Sequence, residues 1–510
     1  YIVDDEAVLL SNGSISAAGS CAFGNGISIP VGNETGGREI LSFAELTVAL
    51  AEAVAVRRSD KKFLSAYGEF ITRYITGCTL SSGYIGKKAV IRNTGTVEDA
   101  YIGGGAAVIG ATLVRNSTLL AAPDERTEIS HGAYVVDSCV QWGSAVTSMA
   151  IVEKSVLCEH SHVERHGKVT SSVIGPNTGV AEGEVTSCLI GPFVGFHHQA
   201  MLIAGIWPEG KGNVAYGANV GSNHTSKAPD QEIFCGEGMF FGLGVNIKFP
   251  SDFSQSPYSI IATGVTTLPQ KISYPFCLLN SPSSITPGVP PSYNEIFPGW
   301  VLSQNIYSVR RNEGKYKKRN KARRSEFVFS VFRPDIIDVM ITARNNLKNV
   351  KTNSEIYTNR DIPGIGKNYL TEKNRKAGID AYDFYIEYYA LSRLLDRIGA
   401  IQPQGAGAFN DIYDKKTNDN DWEHARGVLR SEGYGGRSVR ENLLRLIDMV
   451  NRISSSTFRS KERDDGRGKR IIQDYPEVTT LAGDDSFVKE TAGETEELTG
   501  RIEGILAGMK

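Results

Sequence analysis

A short pattern recurs along the chain and constrains its fold more than any other feature. An aliphatic residue is followed by glycine, two free positions, a small residue and one further free position. Val140, Val156, Val173 and Leu189 also recur at spacings of 16, 17 and 16 residues. Repeats of a fixed period indicate a solenoid rather than one compact core. Strict copies of the pattern occupy residues 85–90, 102–107, 174–179 and 190–195, and a weaker copy occupies residues 261–266.

The pattern suits a chain that winds into three-sided coils of short strands. Each aliphatic residue points inward from one side of a coil, and glycine fits where a tight corner leaves no room for a side chain. Stacked coils pair their backbone groups with the coils above and below, at a strand spacing of about 4.8 Å. We therefore predict a main parallel β-helix over residues 77–275, preceded by partial coils over residues 1–38.

The remaining segments differ in composition from the repeats. Residues 39–76 have apolar side chains at helical spacing and predict a helical hairpin inserted between the coils. Five prolines between residues 282 and 298 indicate that residues 276–333 form an extended wrap. Residues 334–510 predict an α-helical C-terminal region, with helices over 334–348, 371–398, 439–453 and 498–509 and polar connectors at 464–469 and 492–497.

Composition excludes several classes of protein. With 55 Lys and Arg against 57 Asp and Glu, the net charge of −2 gives no overall attraction to nucleic acid or to an anionic membrane. The seven cysteines are scattered without a C-x-x-C pair, which disfavours a disulfide framework or a zinc ribbon and suits a reducing cytoplasm. No apolar run reaches the length of about 18 residues that a membrane span needs.

The repeats carry a resemblance to a known superfamily. Residues 77–275 resemble the left-handed parallel β-helix of the bacterial hexapeptide-repeat transferases, and the left handedness is implied by that resemblance. The coils and their insertion, with the stretch from Gly36 to Arg38, also resemble a family of long hexapeptide-repeat proteins known as a domain of unknown function. The expected fold is mainly β, with a helical insertion and an α-helical C-terminal region. The resemblance further implies a homo-oligomer, most simply a trimer, with sites between subunits.

Residues 214–266 are similar to the closing coils of the acetyltransferase half of N-acetylglucosamine-1-phosphate uridyltransferases. The resemblance assigns Asn223, His224 and Lys227 to substrate binding, together with His197. It places Ala262 and Thr263 beside the acetyl-CoA, and it makes His198 the catalytic histidine. Met201 and Leu243 stand where those enzymes have a tyrosine and a serine, so a different acceptor is expected.

His198 also suits catalysis on chemical grounds. A neutral imidazole can take a proton from an attacking amine or hydroxyl near pH 7, and backbone N–H groups at a glycine corner can hold a thioester oxyanion. The competing interpretation is that His197 and His198 form a polar corner satisfied by hydrogen bonds. A metal site built from His131, His160, His162 and His166 is a third reading, but their spacing does not reproduce a known site, and no metal is expected.

Residues 310–324 are strongly basic, since nine of these fifteen residues are Lys or Arg. Such a run can bind the phosphates of CoA or of a nucleotide-sugar, for which we single out Arg310 and Lys317. The alternatives are a solvated helix face or one paired with acidic side chains of another element.

Together these features predict an acyl-CoA-dependent or acetyl-CoA-dependent acyltransferase acting on an amino or hydroxyl group of a sugar or nucleotide-sugar. The alternatives are a non-catalytic assembly scaffold and a sugar nucleotidyltransferase, for which no Gly-rich nucleotide loop is present.

Overall fold

Three-sided coils stack into a parallel β-solenoid that forms the largest unit of the chain. The computed structural model describes residues 1–221, 231–401, 409 and 412–509. In each coil the chain crosses the first, second and third face in that order. The strands of each face pair in parallel with the strands of the same face in the coils above and below. On the first face, for example, Val156 pairs with Val173 and Val173 pairs with Leu189.

The strands are short because each side of a coil holds only a few residues. Thr96–Ile102 and Leu113–Leu119 bend from the third face into the next first face, so each contributes to both. The first face also contains Ile2–Val3, Tyr84–Ile85, Cys139–Val140, Val156–Leu157, Val173–Ile174, Leu189–Ile190, Gly205–Trp207, Ile233–Phe234, Ser251–Asp252 and Gln270–Lys271. The second contains Val8–Leu10, Val90–Arg92, Ala107–Ile109, Glu128–Ser130, Ala145–Val146, His162–Glu164, Gly179–Ala181, Gly195–Phe196, Asn213–Val214, Phe240–Phe241, Ile260–Ile261 and Leu278–Asn280. The third also contains Ser14–Ser16, Tyr134–Val136, Ile151–Glu153, Lys168–Thr170, Glu184–Thr186, Met201–Ile203, Asn219–Val220, Asn246–Ile247 and Thr266–Thr267.

The repeating aliphatic and glycine positions have separate structural reasons. Ile174 and Ile190 are fully buried inside the coils. At the corner that follows, a Cβ on Gly175 would lie 2.5 Å from the backbone of Gly191, and one on Gly191 would lie 2.1 Å from the backbone oxygen of Pro208. Glycine is therefore required where one coil approaches the next.

The register of the first face differs by one residue from the spacing that the sequence suggests. Cys139, rather than Val140, pairs with Val156. Cys139, Val156, Val173 and Leu189 are buried outside the coils, in a second apolar cluster. Val140 points into the solenoid with the main core. Because neighbouring residues of a strand face opposite sides, both sides of the first face are apolar.

The second cluster is formed with the insertion between the first two coils. Only residues 1–16 of the predicted partial coils belong to a coil, and they pair directly with residues 84–98. Residues 28–41 instead form an antiparallel hairpin, Ser28–Pro30 with Glu39–Leu41. Helices α1 (Val48–Val56) and α2 (Lys61–Cys78) follow it. The predicted range of 1–38 for partial coils is therefore too long, and the hairpin with α1 covers the first face.

Further strands and helices follow the last coil. Asn294–Phe297 pairs antiparallel with Leu278–Asn280 and extends the second face, followed by Asn368–Thr371 and Ile356–Thr358. The helices are α3 (Trp300–Gln304), α4 (Ile306–Arg319), α5 (Pro334–Lys348), α6 (Glu372–Ile401), α7 (Asn420–Ser431), α8 (Val439–Ile471), α9 (Tyr475–Val478) and α10 (Ser486–Gly508), with a 3₁₀ turn at Tyr434–Gly436. Buried α6 packs against α5, α7 and α8.

The parallel β-helix, the inserted helices and the helical C-terminal region predicted from the sequence are confirmed. Residues 464–469 and 492–497 differ from the prediction, because they lie inside α8 and α10 rather than in connectors. The basic run also differs in part, since residues 306–319 are helical rather than extended. Among the described residues, no helix combines the length and apolar character that a membrane crossing requires.

Candidate functional site

Helix α4 lies along the second face of the solenoid and creates a groove there. Its buried residues Ile306 and Val309 are three positions apart, so they share the helix face that packs inward. Near its other end, the Tyr316 ring lies 5.2 Å from the ring of Phe193, a buried residue at a solenoid corner. The Tyr316 hydroxyl donates a hydrogen bond to the backbone oxygen of Lys211, at 3.0 Å. Both ends of α4 are thus fixed to the coils.

Residues 320–333, which we call the strap, leave α4 and run back over the corner between the first and second faces. Asn177 fixes its start, since the Asn177 amide donates to the Asn320 side chain at 2.9 Å and accepts from the backbone N–H of Lys321 at 3.1 Å. At the far end, Arg333 and Lys211 both pair with the buried carboxylate of Glu237. Burial opposes ionisation of Glu237, but these two cations outweigh it and lower its pKa.

The groove between α4 and the second face has a volume of about 770 Å³. This is within the usual range of about 300–1,000 Å³ for small-molecule sites. Its lining combines histidines and amides on the solenoid with cations on α4 and the strap. The polar members are His160, His162, Asn177, His197, Asn213, Asn312, Lys315, Tyr316, Lys318, Arg319 and Lys321.

Glycines of the second face make room for the polar side chains of the groove floor. A Cβ on Gly195 would lie 2.8 Å from Nε2 of His197 and 2.9 Å from Oδ1 of Asn213. A Cβ on Gly179 would lie 2.4 Å from Nε2 of His162. The rings of His162 and His197 therefore occupy space that any larger residue at these repeat positions would take. The floor of the groove thus requires glycine at both Gly179 and Gly195.

The cations of the basic run differ in whether they have acidic partners. Some form ion pairs: Arg310 with Glu494, Lys318 with Glu490, and Arg323 and Arg324 with Asp124, Glu125 and Glu159. Lys315, Arg319 and Lys321 line the groove and form no ion pair with a carboxylate of the described chain. The charges of these three groove residues are available to an anionic ligand. A separate effect stabilises Lys317, Lys318 and Arg319, which lie in the last turn of α4, where the helix dipole favours cations.

The electrostatics of the groove favour neutral histidines. Desolvation by the surrounding protein lowers the pKa of His197, and the nearby positive groups His198, Lys315 and His162 lower it further. Desolvation also lowers the pKa of His162, with Lys321 acting in the same direction against Glu164. Both rings remain open to solvent in the groove. They are suited to accept a proton at neutral pH.

His198, the predicted catalytic residue, lies outside the groove on an exposed ridge between the second and third faces. Its side chain is 65% exposed, and its Nδ1 lies 3.2 Å from a carboxylate oxygen of Glu182. Backbone hydrogen bonds along this ridge connect His198 to Gly217, Tyr216 to Gly244, and Leu243 to Gly264.

Ala262 and Thr263, the predicted CoA contacts, lie on the same ridge as His198. They are three coils from it, about 14 Å at the usual strand spacing. Ala262 is partly buried and Thr263 is exposed. The structure thus places these three predicted residues on one edge, and none of them is among the residues that line the groove beside α4.

The other predicted site residues have different positions. His197 lines the groove, as described above. Arg310 lines a separate cavity of about 240 Å³ with Tyr385 and Tyr389. Lys317 is exposed and is not among the side chains that line the groove. The predicted substrate residues Asn223, His224 and Lys227 lie outside the described residues.

The histidines considered as metal ligands do not form a metal centre in the part of the chain that the structure describes. Nε2 of His160 lies 3.0 Å from Glu125, and Nδ1 of His131 lies 2.8 Å from the hydroxyl of Ser130. No group of three or more His, Cys, Asp or Glu side chains is arranged to hold an ion among these residues.

Sequence reasoning missed several members of the groove. His162 was considered only as a metal ligand, Asn213 was not considered, and Lys315, Arg319 and Lys321 were not distinguished from the rest of the basic run. The available signal was the pair of glycines at positions 179 and 195, since each is the last residue of a strict copy of the pattern and begins a strand of the second face.

Two comparisons with known proteins match parts of this chain. Residues 1–237 match the family model described as "Domain of unknown function (DUF4954)". This range contains the insertion and the solenoid floor of the groove, and it excludes α4 and the strap. The chain is also similar to an uncharacterized protein of Treponema pallidum (strain Nichols), with 28% identity over 353 residues, which is 66% of this chain and 47% of that protein. The chain therefore spans about half the length of that relative.

Proposed function

We propose that the groove binds a phosphate-bearing substrate and that the protein is an acyl-CoA-dependent acyltransferase acting on an amino or hydroxyl group of a sugar or nucleotide-sugar. One observation carries this proposal. Three cations that have no carboxylate partner among the described residues, Lys315, Arg319 and Lys321, face two histidines of lowered pKa across a groove large enough for a substrate. Such cations suit phosphate or pyrophosphate groups of CoA or of a nucleotide-sugar.

In this reaction His197 acts as the general base. Its Nε2 accepts the proton of the acceptor's amino or hydroxyl group as that nitrogen or oxygen bonds to the thioester carbonyl carbon. The carbon–sulfur bond then breaks, and the leaving thiolate takes the proton from the imidazolium. Asn213, whose Oδ1 lies beside the same Gly195 position as Nε2 of His197, orients the acceptor by hydrogen bonding.

The proposal includes a homo-oligomer, with a trimer as its simplest form. The ridge that contains His198 also exposes large side chains, since Met149, Tyr216 and Leu243 are 55%, 54% and 47% exposed. A second copy that covered this ridge would bury them and would enclose His198 and Thr263 in a groove between subunits. Light scattering coupled to gel filtration measures the mass, and a monomer at working concentration contradicts this part of the proposal.

The decisive experiment measures binding and transfer on variants of the groove. Calorimetry with CoA is expected to give binding that Lys315→Gln and Arg319→Gln weaken by at least about tenfold each, since losing a charged hydrogen bond usually costs about 1.5–3 kcal/mol. Lys373→Gln is the matched control, because Lys373 is an exposed lysine of α6. Transfer, followed as release of the CoA thiol with amino-sugar and nucleotide-sugar acceptors, is expected to fall about 100-fold in kcat in His197→Gln.

The variant His198→Gln separates the groove from the ridge. If His198→Gln abolishes transfer and His197→Gln does not, catalysis belongs to the ridge, and the groove proposal is wrong. If CoA and nucleotide-sugars do not bind at all, the acyltransferase proposal fails and the scaffold alternative gains support.

A further inference from the structure

A second, apolar cavity lies beneath α4, next to the basic groove. Its volume is about 350 Å³. The walls come from the last coils of the second face, from α3 and α4, and from the strap. The apolar side chains that line it are those of Phe240, Ile260, Val301, Val309, Phe329 and Val331.

This cavity adjoins the basic groove. Phe240, Asn312 and Tyr316 line both spaces, so the two meet at these three side chains. The groove supplies positive charge on one side of this junction, and the cavity supplies the apolar side chains named above, with Lys211, Arg311 and Glu313 as the charged residues of its lining. Lys211 is already paired with Glu237.

The two spaces together match a ligand with an anionic head and an apolar tail. We infer that the apolar cavity holds the acyl chain of the donor, and that the donor carries a chain longer than acetyl. This inference rests on the proposed function and assigns its donor class. The phosphates of the carrier lie among Lys315, Arg319 and Lys321, and the chain passes Tyr316 and Phe240 into the cavity. Burial of methylene groups there supplies binding energy that acetyl-CoA cannot gain.

Affinity across a series of thioesters tests the inference. The probes are CoA, acetyl-CoA, butyryl-CoA, hexanoyl-CoA and octanoyl-CoA, measured by calorimetry on the full chain. Complete burial strengthens binding about fourfold per methylene. Octanoyl-CoA has six methylenes more than acetyl-CoA, so we expect it to bind at least tenfold more tightly, even when only half of the added chain is buried.

A matched pair of strap variants locates the chain. Val331 is 4% exposed and lines the cavity, whereas Val328, three residues earlier, is 60% exposed. Val331→Phe is expected to keep the affinity for acetyl-CoA and to remove the gain from octanoyl-CoA. Val328→Phe is expected to leave both affinities unchanged. If Val331→Phe lowers the melting temperature so far that binding is unreadable, Ile260→Trp fills the same cavity from the solenoid side and takes its place.

The outcomes separate the inference from the function on which it rests. Equal affinities for acetyl-CoA and octanoyl-CoA overturn the inference and leave the acyltransferase proposal standing. A chain-length gain that survives in both Val331→Phe and Ile260→Trp places the acyl chain elsewhere and also overturns it. Absence of binding by every thioester overturns both. A chain-length gain without transfer to any acceptor supports the cavity assignment and contradicts the enzymatic proposal alone.

Discussion

The guanidinium carbon of Arg324 lies 3.9 Å from the centroid of the Trp142 ring. The same guanidinium donates to Glu125 at 2.8 Å and to Glu159 at 3.1 Å, and both carboxylates are 2% exposed. A cation over an aromatic face and between two buried carboxylates is held by attractions on several sides. This contact fixes the turn of the strap onto the solenoid.

Removing this guanidinium is expected to destabilise the protein. Arg324→Met leaves Glu125 and Glu159 without their main cation, which costs about 3–5 kcal/mol for a fully buried pair. Since Arg324 is 37% exposed, we expect a loss of about 2 kcal/mol in the free energy of unfolding, measured with urea. Arg323→Met is the control. Arg323 is 55% exposed and pairs with exposed Asp124, so its loss is expected to lower the stability clearly less than the loss of Arg324. Equal losses in the two variants contradict this account.

The same contact predicts a dependence of stability on pH. The hydrogen bond from Arg324 lowers the pKa of Glu125 to about 2, with His160 contributing and burial opposing. A lowered pKa means that the unfolded chain binds more protons in this range, so stability rises with pH. The contribution is complete above about pH 4.5 and is lost as the pH falls toward 2. Urea unfolding at several pH values between 3 and 5 measures the slope, and Arg324→Met is expected to reduce it. A slope unchanged by the substitution is inconsistent with this role.

The groove predicts a change in the titration of His197. Because the positive charge of Lys315 contributes to lowering the pKa of His197, Lys315→Gln is expected to raise that pKa. The direction follows because the imidazolium loses a repulsive neighbour. Carbon-detected NMR of labelled histidine rings follows the titration, and Lys373→Gln is expected to leave the curve in place. A curve that moves equally in both variants contradicts the placement of Lys315 at the groove.

Two glycines in different settings, one at a coil corner and one inside a helix, predict opposite effects of alanine substitution. At Gly191 a Cβ would lie 2.1 Å from the backbone oxygen of Pro208, so Gly191→Ala must displace a coil, with an expected cost of about 3 kcal/mol. At Gly493, an exposed glycine inside α10, a Cβ meets nothing within 4 Å. Gly493→Ala is expected to raise stability by about 0.5–1 kcal/mol, because alanine favours helix. Urea unfolding measures both, and a stable Gly191→Ala variant contradicts the close approach of the coils.

Much of the solenoid could be predicted because its signal is local and repeated. Ile174 and Gly175 stand side by side in the sequence, and the two requirements, an inward aliphatic and a corner without a side chain, act at neighbouring positions. The one-residue offset at Cys139 arose because both sides of the first face are apolar, so spacing alone does not tell which residue points inward. Residues 26–29 alternate between small and aliphatic residues, a pattern that suits the observed hairpin as well as a coil.

The groove could be predicted only in part. His197 was identified from the sequence through the resemblance that singles out its neighbour His198. The packing of α4 against that repeat brings together residues more than 100 positions apart, such as Phe193 and Tyr316, and no local pattern encodes it. Whether a cation of the basic run is free or paired depends on distant carboxylates as well. Arg310 and Lys315 look alike in the sequence, but Glu494 pairs with the first and the second lies in the groove.

The strap contacts coils that are far apart along the solenoid axis, from Glu125 to Glu237. In most stacked-repeat proteins each repeat contacts only its immediate neighbours, so a weak repeat can melt while the others persist. A tie that skips intermediate repeats makes such partial melting cost more, since the tie must detach first. The central coils of this chain should therefore lose structure together, in one cooperative transition.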